Sequence, residues 1–287
     1  MRILIKNCAV LPMTGPKNYI AEGYIRIEQN LIKAVGSMED LNKSGQLSAE
    51  VPADFTVIEG SGKVALPGLI NTHTHAAMTL FRGYADDMPL MPWLEQKIFP
   101  AEARLEAEDV FWGTMLANLE MLRFGTTCFA DMYFFMDEVA KAVEISGMRA
   151  DLSRGLVGVA PNSLESLEQG VAFAKNWQGQ AQGRITTRLG PHAPYTCPAD
   201  YLKKVVAASD HLGVGLHMHL AETAGEVQQL VDAAGLNPIQ WMENMGAFER
   251  PVLAAHCVHV TPEDLEIMAR RAVGVAHNPE SNMKLAS

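Results

Sequence analysis

The chain has 287 residues, 48% of them apolar and 20% charged, with 23 basic against 33 acidic side chains for a net charge of −10. That apolar share suffices for a sizeable core and excludes wholesale disorder. The acidic balance argues against a generic binder of nucleic-acid backbone, which needs a basic face, but leaves small-molecule sites open.

Residues 1 to 62 read as a first domain. Short alternating pieces (Ile3-Leu4-Ile5, Tyr24-Ile25-Arg26-Ile27-Glu28, Leu31-Ile32-Lys33-Ala34-Val35) are separated by turn residues at Gly15-Pro16, Gln29-Asn30 and Gly36-Ser37. This pattern predicts a small antiparallel β unit, part of a β-sandwich. Residues 63 to 287 read as a second domain, in which short apolar runs alternate with amphipathic segments. The runs are 64–70, 126–129, 149–156, 185–189, 214–219, 252–256 and 273–276; the helical segments are 108–123, 136–146, 163–176, 198–212, 224–232 and 262–271. Short buried strands alternating with helices imply a parallel sheet. Seven consecutive units predict an α/β fold of the (β/α)₈ TIM-barrel type, with an open doubly wound sheet as the alternative. The eighth unit of such a barrel is not in the sequence, so the chain reads as a fragment or as one part of a larger assembly.

Four cysteines, Cys8, Cys128, Cys197 and Cys257, form no CxxC pair. Neither a cysteine zinc site nor a dithiol redox motif is signalled, and sparse thiols fit the cytoplasm. The start, MRILIKNCAV, is too interrupted for a signal segment. No apolar run reaches the roughly 18 residues of a membrane span. No nucleic-acid or membrane partner is expected.

The nine histidines carry the chemistry. His73 and His75 close the first predicted strand, two residues apart, so both point the same way. His192 follows the fourth strand. His217 and His219 end the fifth, with Glu222 three residues on. His256 ends the sixth and His277 the seventh. In a barrel all these ends converge on one face. Convergent neutral imidazoles suit a metal ion, and such an ion activates water at neutral pH. Glu222 is the candidate for moving protons. Spacing leaves two roles for His256, metal ligand or partner of the water. His217 reads as a core residue, His211 as a helix-end residue and His259 as a loop residue.

The run Pro67-Gly68-Leu69-Ile70-Asn71-Thr72-His73-Thr74-His75 resembles the first-strand signature of the amidohydrolase superfamily. Met78-Thr79-Leu80-Phe81-Arg82-Gly83-Tyr84-Ala85-Asp86-Asp87, Pro100-Ala101-Glu102, Gly190-Pro191-His192-Ala193-Pro194-Tyr195, His219-Leu220-Ala221-Glu222-Thr223, Ala255-His256-Cys257 and His277-Asn278-Pro279 resemble its 5-methylthioadenosine/S-adenosylhomocysteine deaminase branch. The resemblance runs from about residue 3 to residue 287. It implies that His73, His75 and His219 hold one metal ion per subunit, usually zinc, with iron as the alternative. It implies that Glu222 shuttles a proton to the purine N1 and that His256 contacts the metal-bound hydroxide. Glu102 matches a carboxylate that accepts from ribose hydroxyls, and Arg154 and His192 match substrate contacts. Arg154 ends the third predicted strand, so a barrel is expected to put it in the pocket. The substrate implied is a small nucleoside, deaminated to its inosine analogue; homo-oligomer formation stays open.

The family's metal-binding aspartate at the end of the eighth strand has no counterpart in the sequence. The expectation is weak metal binding and little activity from this polypeptide alone. A triazine chlorohydrolase, a guanine-type deaminase and a non-catalytic scaffold are the competing readings.

Overall fold

The computed structural model describes residues 1–44 and 54–287. It begins with β1 (Arg2–Val10), β2 (Ile20–Glu28) and β3 (Leu31–Ser37), then a short helix Met38–Ser44, β4 (Phe55–Glu59) and β5 (Val64–Ala65). The expected Gln29-Asn30 turn joins β2 to β3, with Gln29 in the left-handed region at φ 57°. The sheet order is β3-β2-β1-β4, and β5 also pairs with β1. The β1–β2 and β2–β3 pairs are antiparallel, but β4 and β5 run parallel to β1. The purely antiparallel expectation is therefore corrected. The chain leaves β3 through the helix before returning beside β1, and parallel pairing needs such a crossover. Leu41 of that helix packs with Leu4 and Tyr24, closing a small apolar cluster. Among the described residues this is one sheet, without the second layer of a sandwich. Part of the expected first domain, residues 45–53, lies outside the described residues.

A second correction concerns Val64. The run 64–70 reads as one strand, but Val64 and Ala65 pair with Ala9 and Val10 of the first sheet. Pro67-Gly68 breaks the run, and β6 starts at Leu69. Contacts divide the chain into two units, Met1–Leu69 and Ile70–Ser287.

The second unit is built on β6 (Leu69–Thr74), β7 (Thr126–Tyr133), β8 (Arg149–Leu156), β9 (Ile185–Pro191), β10 (Gly215–Leu220), β11 (Val252–His256) and β12 (Gly274–Ala276). These form one seven-stranded sheet whose spatial order is the chain order. The ladders from β7 to β12 are parallel. A doubly wound sheet would reverse its order at a switch point; this one never does. The fold is an α/β barrel of the TIM type, present as seven strands with β6 and β12 at the edges of the described sheet. Helices Ala107–Arg123, Met136–Ser146, Ser163–Trp177, Ala199–Leu212, Ala224–Ala234 and Pro262–Arg270 follow the first six strands in turn.

Local chemistry explains the boundaries. Ala107–Arg123 starts on a capping box of Glu106 and Asp109, and Pro262–Arg270 on one of Thr261 and Asp264. Met136–Ser146 and Ala199–Leu212 stop at Gly147 and Gly213, both left-handed. Strand alternation sorts the faces. On β10, Leu216, Met218 and Leu220 enter the apolar cluster against the helices, which leaves His217 and His219 on the inner face. On β8, Leu152 and Leu156 do the same, leaving Ser153 on the inner face.

The segment after β6 turns through Ala76–Phe81 and packs under Ala107–Arg123 at Gly113. A Cβ at Gly113 would lie 2.6 Å from the Ala77 carbonyl oxygen. Gly113→Ala is therefore expected to lower stability by about 1–3 kcal/mol through overpacking. Urea unfolding measures this, and an unchanged midpoint would contradict the described packing.

Candidate active site

Three histidines meet at the C-terminal ends of β6 and β10. One ligand atom from each of His73, His75 and His219 can be chosen so that all lie within 4.8 Å of one another. Their ring centroids are 4.8 to 5.2 Å apart. His75 Nδ1 lies 2.6 Å from the Met132 carbonyl oxygen, and His219 Nδ1 lies 2.8 Å from the His192 carbonyl oxygen. A carbonyl only accepts, so both Nδ1 atoms carry the proton and both Nε2 atoms present lone pairs. Those two Nε2 atoms are 3.2 Å apart.

Two lone pairs at that separation repel unless a cation lies between them. A second proton on His219 is disfavoured, because burial and the neighbouring imidazoles hold it well below the usual histidine range. A divalent ion fits. Imidazole nitrogens bound to one tetrahedral zinc at about 2.0–2.1 Å would themselves be about 3.3 Å apart. The donor set is thus that of a metal site.

His256 stands beside this cluster, its ring 5.6 Å from those of His73 and His219. It is held by strain and by one amide. Its φ is 77°, and Cys257 and Ala221 are also left-handed at φ 51° and 50°. Backbone hydrogen bonds from Cys257 to Leu220 and from Val258 to Ala221 hold these turns. The Asn282 amide donates to His256 Nδ1 at 3.0 Å. The ring proton then sits on Nε2, facing Glu222 Oε2 at 3.6 Å. Burial lowers His256 to about 4, so this is a neutral imidazole against a carboxyl group, not an ion pair.

Glu222 is buried, and desolvation followed by repulsion from Glu226 raises it to about 7. Glu226, also buried, is raised to about 7 by desolvation. Its carboxylate accepts the backbone N–H of Glu222 at 2.9 Å and of Ala221 at 3.2 Å. Thr223 caps the helix that carries it. The turn after β10 thereby aims one carboxyl at the cluster and locks itself with a second. A cavity of about 550 Å³ opens beside His256, lined by Cys257, Asn282, Met283 and Ser287 among others.

Glu102 lies on the His75 side. It accepts the Tyr133 hydroxyl at 2.8 Å, and the Tyr133 ring is 6.2 Å from that of His75. Burial raises its pKa. His192 is half-buried, 4.8 Å from the His219 ring, with Nδ1 3.0 Å from the Thr196 hydroxyl. Burial lowers it to about 4.

Arg154 is not brought into the histidine cluster. It shares the outer parity of Leu152 and Leu156 on β8. Its Cβ and Cδ pass 3.9 Å from a Cβ built at Gly170 of the helix Ser163–Trp177. Its charged neighbours are Asp137 and Glu165 on the helix layer. Position at a strand end does not place a side chain in a barrel when its parity is wrong.

Tyr133 and Asn282 had no sequence signal, since each acts through a partner far along the chain, and Glu226 had none because it acts on backbone N–H groups of its own turn. His217 had one, as the first residue of a second His-x-His. It is fully buried on the inner face, with Nε2 2.8 Å from His73 Nδ1. Burial pushes it down to about 3, so it is neutral.

Glu226 gives a pH test with a definite sign. Its folded pKa of about 7 stands above the ordinary carboxylate value of 4.5, so the folded state binds more protons between those values and its stability falls as pH rises through them. Glu226→Gln removes that dependence. Relative to the parent, the variant should gain stability steadily from pH 5 to pH 8 in thermal unfolding. A pH-independent difference would show that Glu226 is not buried as described.

The amidohydrolase family model matches residues 64–287. The chain is 55% identical to a 5-methylthioadenosine/S-adenosylhomocysteine deaminase of Desulforudis audaxviator over 100% of this chain and 64% of that protein. It is 54% identical to the protein of that name from Syntrophomonas wolfei, over 100% of this chain and 65% of the relative. The chain thus spans about two-thirds of the length of these curated relatives. A crystal structure of an adenosine deaminase from Xanthomonas campestris with bound zinc superposes with a TM-score of 0.89 at 33% identity, covering 99% of this chain and 64% of the other.

Proposed function

Because the chain belongs to the amidohydrolase family, we propose that it is a metal-dependent hydrolytic deaminase of an adenosine-type nucleoside. The substrates proposed are 5-methylthioadenosine and S-adenosylhomocysteine, converted to the inosine analogue with release of ammonia. The names of the curated relatives and the zinc-bound neighbour support this reading. The observation that carries it is Glu222: a buried carboxyl, raised to about 7, facing Nε2 of His256 beside three convergent imidazoles.

His73, His75 and His219 would hold zinc, with iron the second candidate. When bound, the ion would polarise water for attack at neutral pH. Glu222 near its midpoint at pH 7 can give a proton to the purine N1 as C6 is attacked, and accept one afterwards. The Nε2–H of His256 orients the attacking oxygen. Glu102 accepts from the ribose hydroxyls, for which a carboxylate offers paired acceptors. His192 borders the base. Arg154 is left out of the assignment, because it turns to the helices. The four free cysteines support a cytoplasmic setting. No helix among the described residues is long and apolar enough to cross a membrane.

The test uses the protein expressed from its native coding region, read through to its own stop codon. Ammonia release should be seen from 5-methylthioadenosine, S-adenosylhomocysteine or adenosine, be lost on chelation and return with zinc. Glu222→Gln should keep the zinc and lower kcat by roughly 10²- to 10⁴-fold, the range of general acid–base catalysis. No ammonia from any of the three nucleosides, or a Glu222→Gln enzyme at nearly full rate, would sink the proposal.

A guanine-type deaminase or triazine hydrolase is the second reading, and Glu102 separates it from the first. Glu102→Ala should raise KM for nucleosides by roughly ten- to hundredfold, the loss of charge-assisted hydrogen bonds worth about 1.5–3 kcal/mol. Equal turnover of free bases and nucleosides would favour the alternative.

A further inference from the structure

His75 and His219 each have their tautomer fixed by a backbone carbonyl, but His73 does not. Its Nδ1 meets Nε2 of His217 at 2.8 Å, a ring nitrogen able to give or to take a proton. If His217 gave, the proton of His73 would sit on Nε2 and point at the metal position, blocking that ligand.

We propose that His217 is a positioning residue, and that the buried series His73–His217–Ser153 fixes His73 with its Nε2 lone pair toward the metal. The polarity is set from the far end. The Ser153 hydroxyl donates to the Asp131 carbonyl oxygen at 2.9 Å, and a carbonyl cannot return a proton. Its only hydrogen committed, Ser153 Oγ can only accept from His217 Nδ1, 3.3 Å away. Nδ1 of His217 therefore carries the ring proton, and neither partner of this buried ring is an anion that would hold a second one. Its Nε2 is therefore a lone pair, and His73 Nδ1 must be the donor. All three hydrogen bonds run in one direction, from β6 through β10 and β8 to the backbone of β7. Both intermediate residues, His217 and Ser153, are fully buried, so no water competes for these protons. Outer partners of this kind orient ligating histidines and raise metal affinity.

This inference rests on the metal reading of the three histidines, and the test separates the two. Zinc dissociation constants are measured by chelator competition on the protein expressed from its native coding region and on its His217→Leu, His217→Gln and Ser153→Ala variants, with cobalt(II) absorption reporting the ligand set. Near-ultraviolet circular dichroism checks the metal-free folds. His217→Leu should weaken zinc binding by roughly ten- to hundredfold, the scale of lost outer partners, and should alter the cobalt spectrum. His217→Gln should recover most of the affinity, because its amide oxygen can accept from His73 while its NH₂ donates to Ser153. Ser153→Ala should fall between parent and His217→Leu. Equal zinc affinity in parent and His217→Leu, or a Gln variant no better than Leu, overturns the proposal. If His217→Leu does not fold, Ser153→Ala decides: parental affinity there overturns it, and a several-fold loss supports it. Absence of zinc binding by the unsubstituted protein from its full coding region overturns the metal reading and this inference together.

Discussion

The structure turns on one electrostatic conflict. The Nε2 atoms of His75 and His219 face each other 3.2 Å apart while each ring's Nδ1 proton is given to a backbone carbonyl. Backbone carbonyls on β7 and after β9 impose this by taking the Nδ1 protons. Parallel strands bring both carbonyls and both rings to one face, where the His192 carbonyl accepts the His219 backbone N–H as well as its ring. Burial then disfavours a second proton on His219, because a desolvated imidazolium is costly. The barrel thus builds a repulsive array that a metal cation relieves. Affinity for the ion is written into the backbone before any ion arrives.

The same economy governs the acid. Glu222 must be buried to hold a proton near neutrality, yet a buried carboxyl needs a rigid mount. Glu226 supplies it by accepting two backbone N–H groups of the turn, and in doing so repels Glu222 and pushes it further up. Positioning and pKa tuning come from one side chain. The left-handed Ala221 and His256 are the cost in backbone strain, of the order of 1–3 kcal/mol each. Strain of that kind persists only where neighbouring hydrogen bonds over-determine the backbone, as they do across β10 and β11.

Strand–helix alternation was legible in the sequence, because the barrel's outer face is apolar and period two or 3.6 records it. The ends of β8, β10 and β11 fell within a few residues of the apolar runs. The histidine pairs were legible because spacing by two puts side chains on one face. Arg154 lies with Leu152 and Leu156 on the outer parity of β8, so its strand-end position alone does not carry it to the histidines. Val64 was misread because an apolar run has no internal mark of which sheet it will join; only Pro67-Gly68 signalled a break. Tyr133, Asn282 and Glu226 were invisible. Tyr133 and Asn282 matter through hydrogen bonds to Glu102 and His256, which only the fold brings close, and Glu226 through backbone N–H groups that carry no side-chain pattern.

That last group shows why the barrel interior is polar where a stable core would be apolar. Layers inside such barrels are ordinarily filled by branched aliphatic side chains. Here His217 and Ser153 occupy them, fully buried and with every ring proton assigned. A buried polar group costs free energy unless it is satisfied, and a satisfied one adds little over an apolar side chain of the same shape. Stability therefore does not explain this layer. What an aliphatic layer could not supply is direction: a Leu in place of His217 would fill the space and leave His73 free to choose either tautomer. The polar interior makes sense as the means by which a carbonyl on one strand decides which nitrogen of a ring on another stays open.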